Sequence, residues 1–168
     1  AKLITNGGPV RSSSQEIIDP YGPEGRNLQP PAASGNCTEK KLKVNSDVAL
    51  TPGRYCGGIS FLGGNVTFAP GVYIIDGGDF SAKGNVTLSG SGVTFILTGK
   101  SNTVASVNIN GGASANLQAP KSGTAYDGIL FYQAPETSGN GATTTTLNGK
   151  GNVINGGANL NLGGALYF

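Results

Sequence analysis

The sequence predicts an all-β protein: a right-handed parallel β-helix of about four to five coils, with three short strands per coil and an irregular N-terminal capping segment. The first observation behind this is a glycine-led apolar strand that recurs as Gly53-Arg54-Tyr55-Cys56, Gly71-Val72-Tyr73-Ile74-Ile75, Gly92-Val93-Thr94-Phe95-Ile96, Gly128-Ile129-Leu130-Phe131-Tyr132 and Gly164-Ala165-Leu166-Tyr167-Phe168. The leading glycines lie 18, 21, 36 and 36 residues apart. The second is that two further short strands fit between successive copies. The third is composition: 29 Gly, no Met, Trp or His, and 37% apolar residues held in runs between glycines, a pattern disorder lacks. An antiparallel sandwich would need hairpin-length connections between neighbouring copies, which this spacing does not provide.

Residues 1–47 read as the cap and residues 48–168 as the β-helix, together one domain. The cap holds five of the nine prolines and five of the nine carboxylates. Leu3-Ile4 is a candidate short strand. Glu16-Ile17-Ile18-Asp19 is too short and too close to Pro20 for a helix. Asp19-Pro20-Tyr21-Gly22-Pro23 is a turn signal. Such a segment suits a cover over the first coil, because exposed strand edges invite unwanted pairing. Cys37 and Cys56 then staple it to the body as a disulfide, favoured over two buried thiols. The closed loop of about 20 residues would contribute roughly 3 kcal/mol in the chain-entropy model.

From Val48 the triplets of strands follow in order. They are 54–56, 59–61 and 65–68; then 72–75, 79–81 and 85–88; then 93–97, 106–109 and 115–118; then 129–132, 152–154 and 159–162. Ala165–Phe168 begins a fifth coil. Surplus residues bulge out at 98–105, 119–127 and 134–150, which are rich in Gly, Ser, Thr and Asn. In Val107/Ile109 and Leu160/Leu162 the apolar residues alternate with Asn, giving an inner and an outer face. The glycine-led strands do not alternate. Aligned on their glycines, they place Val72/Ile74, Val93/Phe95, Ile129/Phe131 and Ala165/Tyr167 inside. Tyr73, Ile75, Ile96, Leu130, Tyr132, Leu166 and Phe168 then form an outer apolar stripe. Strands apolar on both faces are normally covered, either by the cap or a loop or by a binding partner, and these residues are the candidate partner-binding site.

Composition excludes several functions. Without His, the Ser-His-Asp and Cys-His nucleophile systems are absent. No convincing helix follows any glycine-rich stretch, so phosphate loops are absent too. Net charge is +2, with the basic residues scattered apart from Lys40, Lys41 and Lys43, so no nucleic-acid-binding stripe is present. No apolar run approaches the ~20 residues of a membrane span. The chain begins at Ala1 with no leader, which reads as a mature product or an excised fragment. Asp76 and Asp79 are the one close carboxylate pair of the repeat body. They are a weak calcium or acid–base candidate, weighed against a role as turn residues beside Gly77-Gly78. No catalytic residue and no cofactor is expected. Asn36, Asn65 and Asn85 stand in glycosylation sequons, which matter only where the machinery exists. Thr143–Thr146 is a run in a bulge and not a repeated ice-binding array.

Leu50-Thr51-Pro52-Gly53-Arg54-Tyr55-Cys56-Gly57-Gly58-Ile59, the stretch from Asn65 to Gly78, Gly92–Gly99, Asp127–Gln133 and Gly163–Phe168 resemble the C-terminal region of TadG-like proteins of bacterial tight-adherence (Flp-type) pilus systems. The likeness covers roughly residues 15 to 168 and is most specific in Pro-Gly-x-Tyr-Cys-Gly-Gly-Ile. It implies a non-enzymatic, extracytoplasmic structural or adhesive domain working in pilus assembly or surface attachment, with a protein partner or surface ligand in the envelope. It also implies a chain cut at both ends, since such proteins carry an N-terminal anchoring segment and continue past the final Tyr-Phe. The alternative is a carbohydrate-binding or polysaccharide lyase-like β-helix. Self-association through the open strand Ala165–Phe168 is a further expectation.

Overall fold

The computed structural model describes residues 19–22, 25–29, 31, 35–99, 103–134, 151–155 and 159–168. Leu3-Ile4, Glu16–Ile18 and Thr143–Thr146 lie outside them. The described residues form strands and no helix: β1 Glu39–Val44, β2 Val48–Leu50, β3 Gly53–Phe61, β4 Gly64–Phe68, β5 Gly71–Asp76, β6 Phe80–Ala82, β7 Val86–Ser91, β8 Val93–Thr98, β9 Val107–Ile109, β10 Ser114–Gln118, β11 Ile129–Gln133, β12 Val153–Ile154, β13 Leu160–Gly163 and β14 Ala165–Tyr167.

Every described pairing is parallel. A nine-stranded sheet runs β12-β9-β6-β3-β5-β8-β11-β14 with β1 beside β3, and a five-stranded sheet runs β13-β10-β7-β4-β2. The long strand β3 joins two ladders: its first half pairs β5, its second half pairs β6, and β1 lies along both. The bend falls at Gly57 and Gly58, with φ of 78° and 85°. A Cβ on Gly58 would come within 2.7 Å of the Asp79 backbone, so only glycine lets the two corners stack.

The core lies between the sheets. Val66 and Leu88 are paired neighbours on one wall, Ile59, Phe80 and Val107 on another, and Tyr73, Phe95 and Phe131 on a third. Phe95 sits at the centre, with ring centroids of Phe80, Phe68, Phe131 and Tyr73 at 4.9, 5.0, 5.0 and 5.4 Å.

The Pro-Gly-x-Tyr stretches have a structural cause. The Tyr55 hydroxyl donates to the Thr51 carbonyl at 2.7 Å, and the Tyr73 hydroxyl to the Ala69 carbonyl at 2.7 Å. In each case the acceptor is the residue before the proline. The tyrosine ring fills the corner and its hydroxyl satisfies a carbonyl there, so the phenol is buried without an unpaired donor.

Two features differ from the sequence reading. Residues 39–44, read as part of the irregular cap, form β1, which is bulged between Lys40 and Leu42, with Lys41 at φ 49°. Its apolar signal is only Leu42 and Val44 among three lysines, because one of its edges faces outward. The inside–outside assignment also changes. Tyr73 and Ile75 are core residues with 0% exposure, while Val72 and Ile74 point outward. The leading glycines are not in register: Gly71 pairs with Val93 and Gly53 with Tyr73. A one-residue slip exchanges the two faces of a strand.

Candidate functional site

The outer face of the β3–β5–β8–β11–β14 ladder carries Arg54, Ile74, Ile96, Tyr132 and Tyr167 in one register column. Such a column leaves apolar surface on the outside of a sheet whose other face is already the core. Residues 19–22 and 25–29 lie across its far end. Leu28 packs in a second buried cluster with Ile96, Ile129, Tyr132 and Ala134, flanked by Tyr21, Val72, Tyr126, Ala165 and Tyr167. The apolar outer face is real, and a strap from the N-terminal region together with the 119–127 connection covers it.

The strap holds its shape through local turns, with the Gly22 amide bonded to the Asp19 carbonyl and the Leu28 amide to the Tyr21 carbonyl. Arg26 reaches across to the carbonyls of Asp127 (2.6 Å) and Ala125 (3.3 Å). Tyr126 and Tyr132 donate from the other side to the carbonyls of Gln29 (2.9 Å) and Leu28 (3.4 Å). Tyr132 and Tyr167 stack at 5.6 Å, and Tyr21 meets Tyr167 edge-on at 5.2 Å. Asp127 accepts from the amide and hydroxyl of Thr124, which hold its carboxyl below the usual range.

At the strap's start the Tyr167 hydroxyl donates to Asp19 Oδ2, and the Tyr21 amide donates to Oδ1 at 2.9 Å. The Tyr167 bond, then the Tyr21 amide, lower the Asp19 pKa from its ordinary 3.8. The same carboxylate, helped by partial burial, pushes the Tyr167 phenol up to about 12. Asp19 therefore contributes to holding the strap above pH 3.8, and that contribution is lost as pH falls through its lowered pKa. Tyr167 contributes fully below its ordinary 10 and loses its part as pH rises through about 12. In an ultraviolet phenolate titration, Asp19→Asn is expected to bring one tyrosine's midpoint down toward 10. An unchanged titration curve would remove the Asp19–Tyr167 bond from the strap.

The other sequence-predicted residues fall as follows. Leu130 is fully buried and Tyr132 is 3% exposed, so neither offers a free surface. Leu166 and Phe168 are 41% and 49% exposed. Leu166 pairs with Phe131 on the inner side, and Phe168 lies 6.5 Å from the Phe131 ring. They mark the end of the core and not an outer stripe. The seven residues expected together are thus divided between the inner core, the covered outer column and the C-terminal end.

Asp76 is bound by Arg54, with Nε at 3.0 Å and Nη2 at 2.6 Å from the same oxygen. Asp79 accepts from the Ser106 hydroxyl at 2.8 Å. Each carboxylate serves a different structural bond at its corner. Among the described residues no group of three or more His, Cys, Asp or Glu is placed to hold a metal ion. Cys37 and Cys56 are disulfide-bonded, with Cα atoms 5.7 Å apart. The Thr38 amide bonds to the Arg54 carbonyl at 2.7 Å, so the staple fixes the entry into β1. Among the described residues no helix is long and apolar enough to cross a membrane.

The five-stranded sheet presents a different outer face. Asn65 pairs in register with Thr87 and Ser114, and Thr67 with Ser89, Asn116 and Asn161. Asn161 donates to Asn116 at 3.2 Å. A shallow groove there is lined by Thr87, Ser114, Asn116, Asn159 and Asn161 together with Ala115 and Leu160, none of them charged.

Sequence reading missed the strap side chains Arg26 and Leu28 and the partner Tyr126, and it placed Ile129, Ala165 and Tyr167 on the inner face, whereas all three belong to the covered outer cluster. The strap's one visible signal was the Asp19-Pro20-Tyr21-Gly22 turn. Compared with protein-family models, characterised proteins and solved structures, the chain matches none.

Proposed function

We propose that the chain is a right-handed parallel β-helix acting as a non-enzymatic, extracytoplasmic structural or adhesive domain of the kind found in tight-adherence pilus systems. The observation that carries this reading is how the polar side chains of the body are used. Asp76 is engaged by Arg54, Asp79 by Ser106, and Asp127 by Thr124, each at a corner or connection. A hydrolase or lyase needs carboxylates converging on open space, with one poised to exchange protons. The described carboxylates Asp76, Asp79 and Asp127 hold corners and connections instead. The Cys37–Cys56 disulfide fits an oxidising compartment outside the cytoplasm. Parallel ladders linked through the bends at Gly57-Gly58 and Gly77-Gly78 support the three-strand coil.

A domain of this kind works by presenting stiff, pre-formed sheet faces to a partner in the envelope or to a surface. The 168-residue chain, added in excess to cells that attach by tight-adherence pili, is expected to compete and lower attachment. Unchanged attachment, or cleavage of acidic polysaccharide by the purified chain, would overturn the reading.

Carbohydrate binding has one observation in its favour, the uncharged groove of the five-stranded sheet, where Asn, Thr and Ser side chains flank Ala115 and Leu160. Its chemistry suits a neutral glycan and not an acidic one, since the lining supplies donors and acceptors but no charge.

A further inference from the structure

We infer that the outer face of β8 and β11, with the 119–127 connection beside it, is a peptide-recognition site for a protein segment of the form Arg-Asn-Leu or Arg-Gly-Leu, and that the strap is its tethered, displaceable occupant. The inference is independent of the pilus reading and stands on how the strap is attached. Among the described residues, no main-chain hydrogen bond joins 19–22 or 25–29 to the body. The amides of Gly22, Gly25, Arg26, Asn27 and Leu28 bond instead to carbonyls of Asp19, Pro20, Tyr21 and Gly22, within the strap itself. β1, by contrast, is built into the ladder of β3. The strap is a self-folded turn that docks through side chains. Leu28 is the one buried residue among its described residues, and an element with so few buried contacts opens at lower cost than the core.

What the body recognises is compact. Leu28 fills an apolar pocket of Ile96, Ile129, Tyr132 and Ala134. Two residues earlier, Arg26 sends Nη1 to the Asp127 carbonyl at 2.6 Å and Nη2 to the Ala125 carbonyl at 3.3 Å. Arginine suits this pair of carbonyls because its planar fork carries donors to both at once. The Tyr132 and Tyr126 hydroxyls donate to the carbonyls of Leu28 and Gln29, groups that any peptide offers. Asn27 stands between the two anchors at φ 48°, a left-handed kink that asparagine and glycine tolerate best, and this sets the middle residue of the segment.

The receiving side is held without the strap. The Gly128 amide bonds to the Pro120 carbonyl at 2.7 Å, the Ile129 amide to the Tyr126 carbonyl at 3.0 Å and the Ala134 amide to the Leu97 carbonyl at 2.9 Å. The Asp127 carboxylate takes the Thr124 amide and hydroxyl, both at 2.8 Å. The carbonyls that accept Arg26 therefore sit on a connection folded by its own bonds, and a pre-formed site binds with little ordering cost. Its tether gives the strap a high local concentration, so an outside segment meets an occupied site. The apparent affinity of that segment falls with the fraction of chains whose strap is undocked.

The test is fluorescence anisotropy of a labelled peptide with the sequence of residues 19–29, titrated with the 168-residue chain and with its Arg26→Ala/Leu28→Ala variant. The variant weakens the tethered occupant and leaves β8, β11 and the 119–127 connection unaltered. The peptide is expected to bind the variant at least about ten-fold more tightly than it binds the unaltered chain. Arg26→Ala or Leu28→Ala within the peptide is expected to weaken that binding at least about ten-fold, as loss of an anchor does. Absence of saturable binding to the variant, equal binding to both chains, or binding indifferent to the peptide's arginine and leucine would each overturn the inference. So would loss of the variant's β circular dichroism signal, which would make the strap a part of the fold and not an occupant of a site.

Discussion

Phe95→Ala is expected to lower the unfolding free energy by about 3–5 kcal/mol, the range for deleting a buried aromatic ring. Phe95 has 0% exposure and its ring meets four others, Phe68, Phe80, Phe131 and Tyr73. These come from β4, β6, β11 and β5, so one ring ties both sheets and three successive layers of the stack. Relaxation into the cavity would require several strands to move together, and their main-chain ladders resist that. The cost should therefore lie toward the upper part of the range. Phe95→Leu keeps most of the volume and is expected to recover more than half of the loss. Urea unfolding followed by circular dichroism measures both. A loss below about 1 kcal/mol for the alanine variant would show that the aromatic cluster is not the centre of the core.

Replacing Cys37 and Cys56 together by alanine is expected to cost roughly 3 kcal/mol, from the loop of about 20 residues that the bridge closes. The sequence separation is 19, and Cys56 lies in the first half of β3, opposite Lys40 of β1. The loss should be local as well as global. Without the bridge, β1 keeps its ladder to β3 but loses the anchor at its entry, where Thr38 meets Arg54. Hydrogen exchange should therefore rise first in the amides of 38–44, ahead of those in β5 and β8. Equal protection with and without the bridge would mean that β1 is held by its ladder alone.

These two expectations differ in how visible they were beforehand. The disulfide pairing was legible from two cysteines a short distance apart. The strands of 53–133 were legible nearly to their ends, because glycine corners separate short apolar runs and each run can only be a strand. Phe95 was legible as an inward residue, but its central place was not. That place depends on side chains brought together from four strands spread over residues 64–133.

The candidate site was legible only in part. The unusual chemistry of the glycine-led strands, apolar on both faces, correctly signalled an outer surface in need of cover. Which residues point outward was misread at Tyr73 and Ile75, because register slips by one residue between Gly71 and Val93. Leu166 and Phe168 were misplaced as an outer stripe because a strand's partner on the inner side cannot be read from its own alternation. Leu166 lies on the core side only by virtue of pairing with Phe131.

By itself, the sequence determined the all-β class, the repeating strand and the bridge between Cys37 and Cys56. These follow from local chemistry: glycines that turn, branched and aromatic residues that extend, and two thiols close in the chain. Only the tertiary structure decided the cover on the outer column. Arg26 and Asp127, or Tyr167 and Asp19, are 101 and 148 residues apart and meet only because the stack brings distant turns to one face. No local preference encodes such a meeting. It is a consequence of register summed over every strand between them.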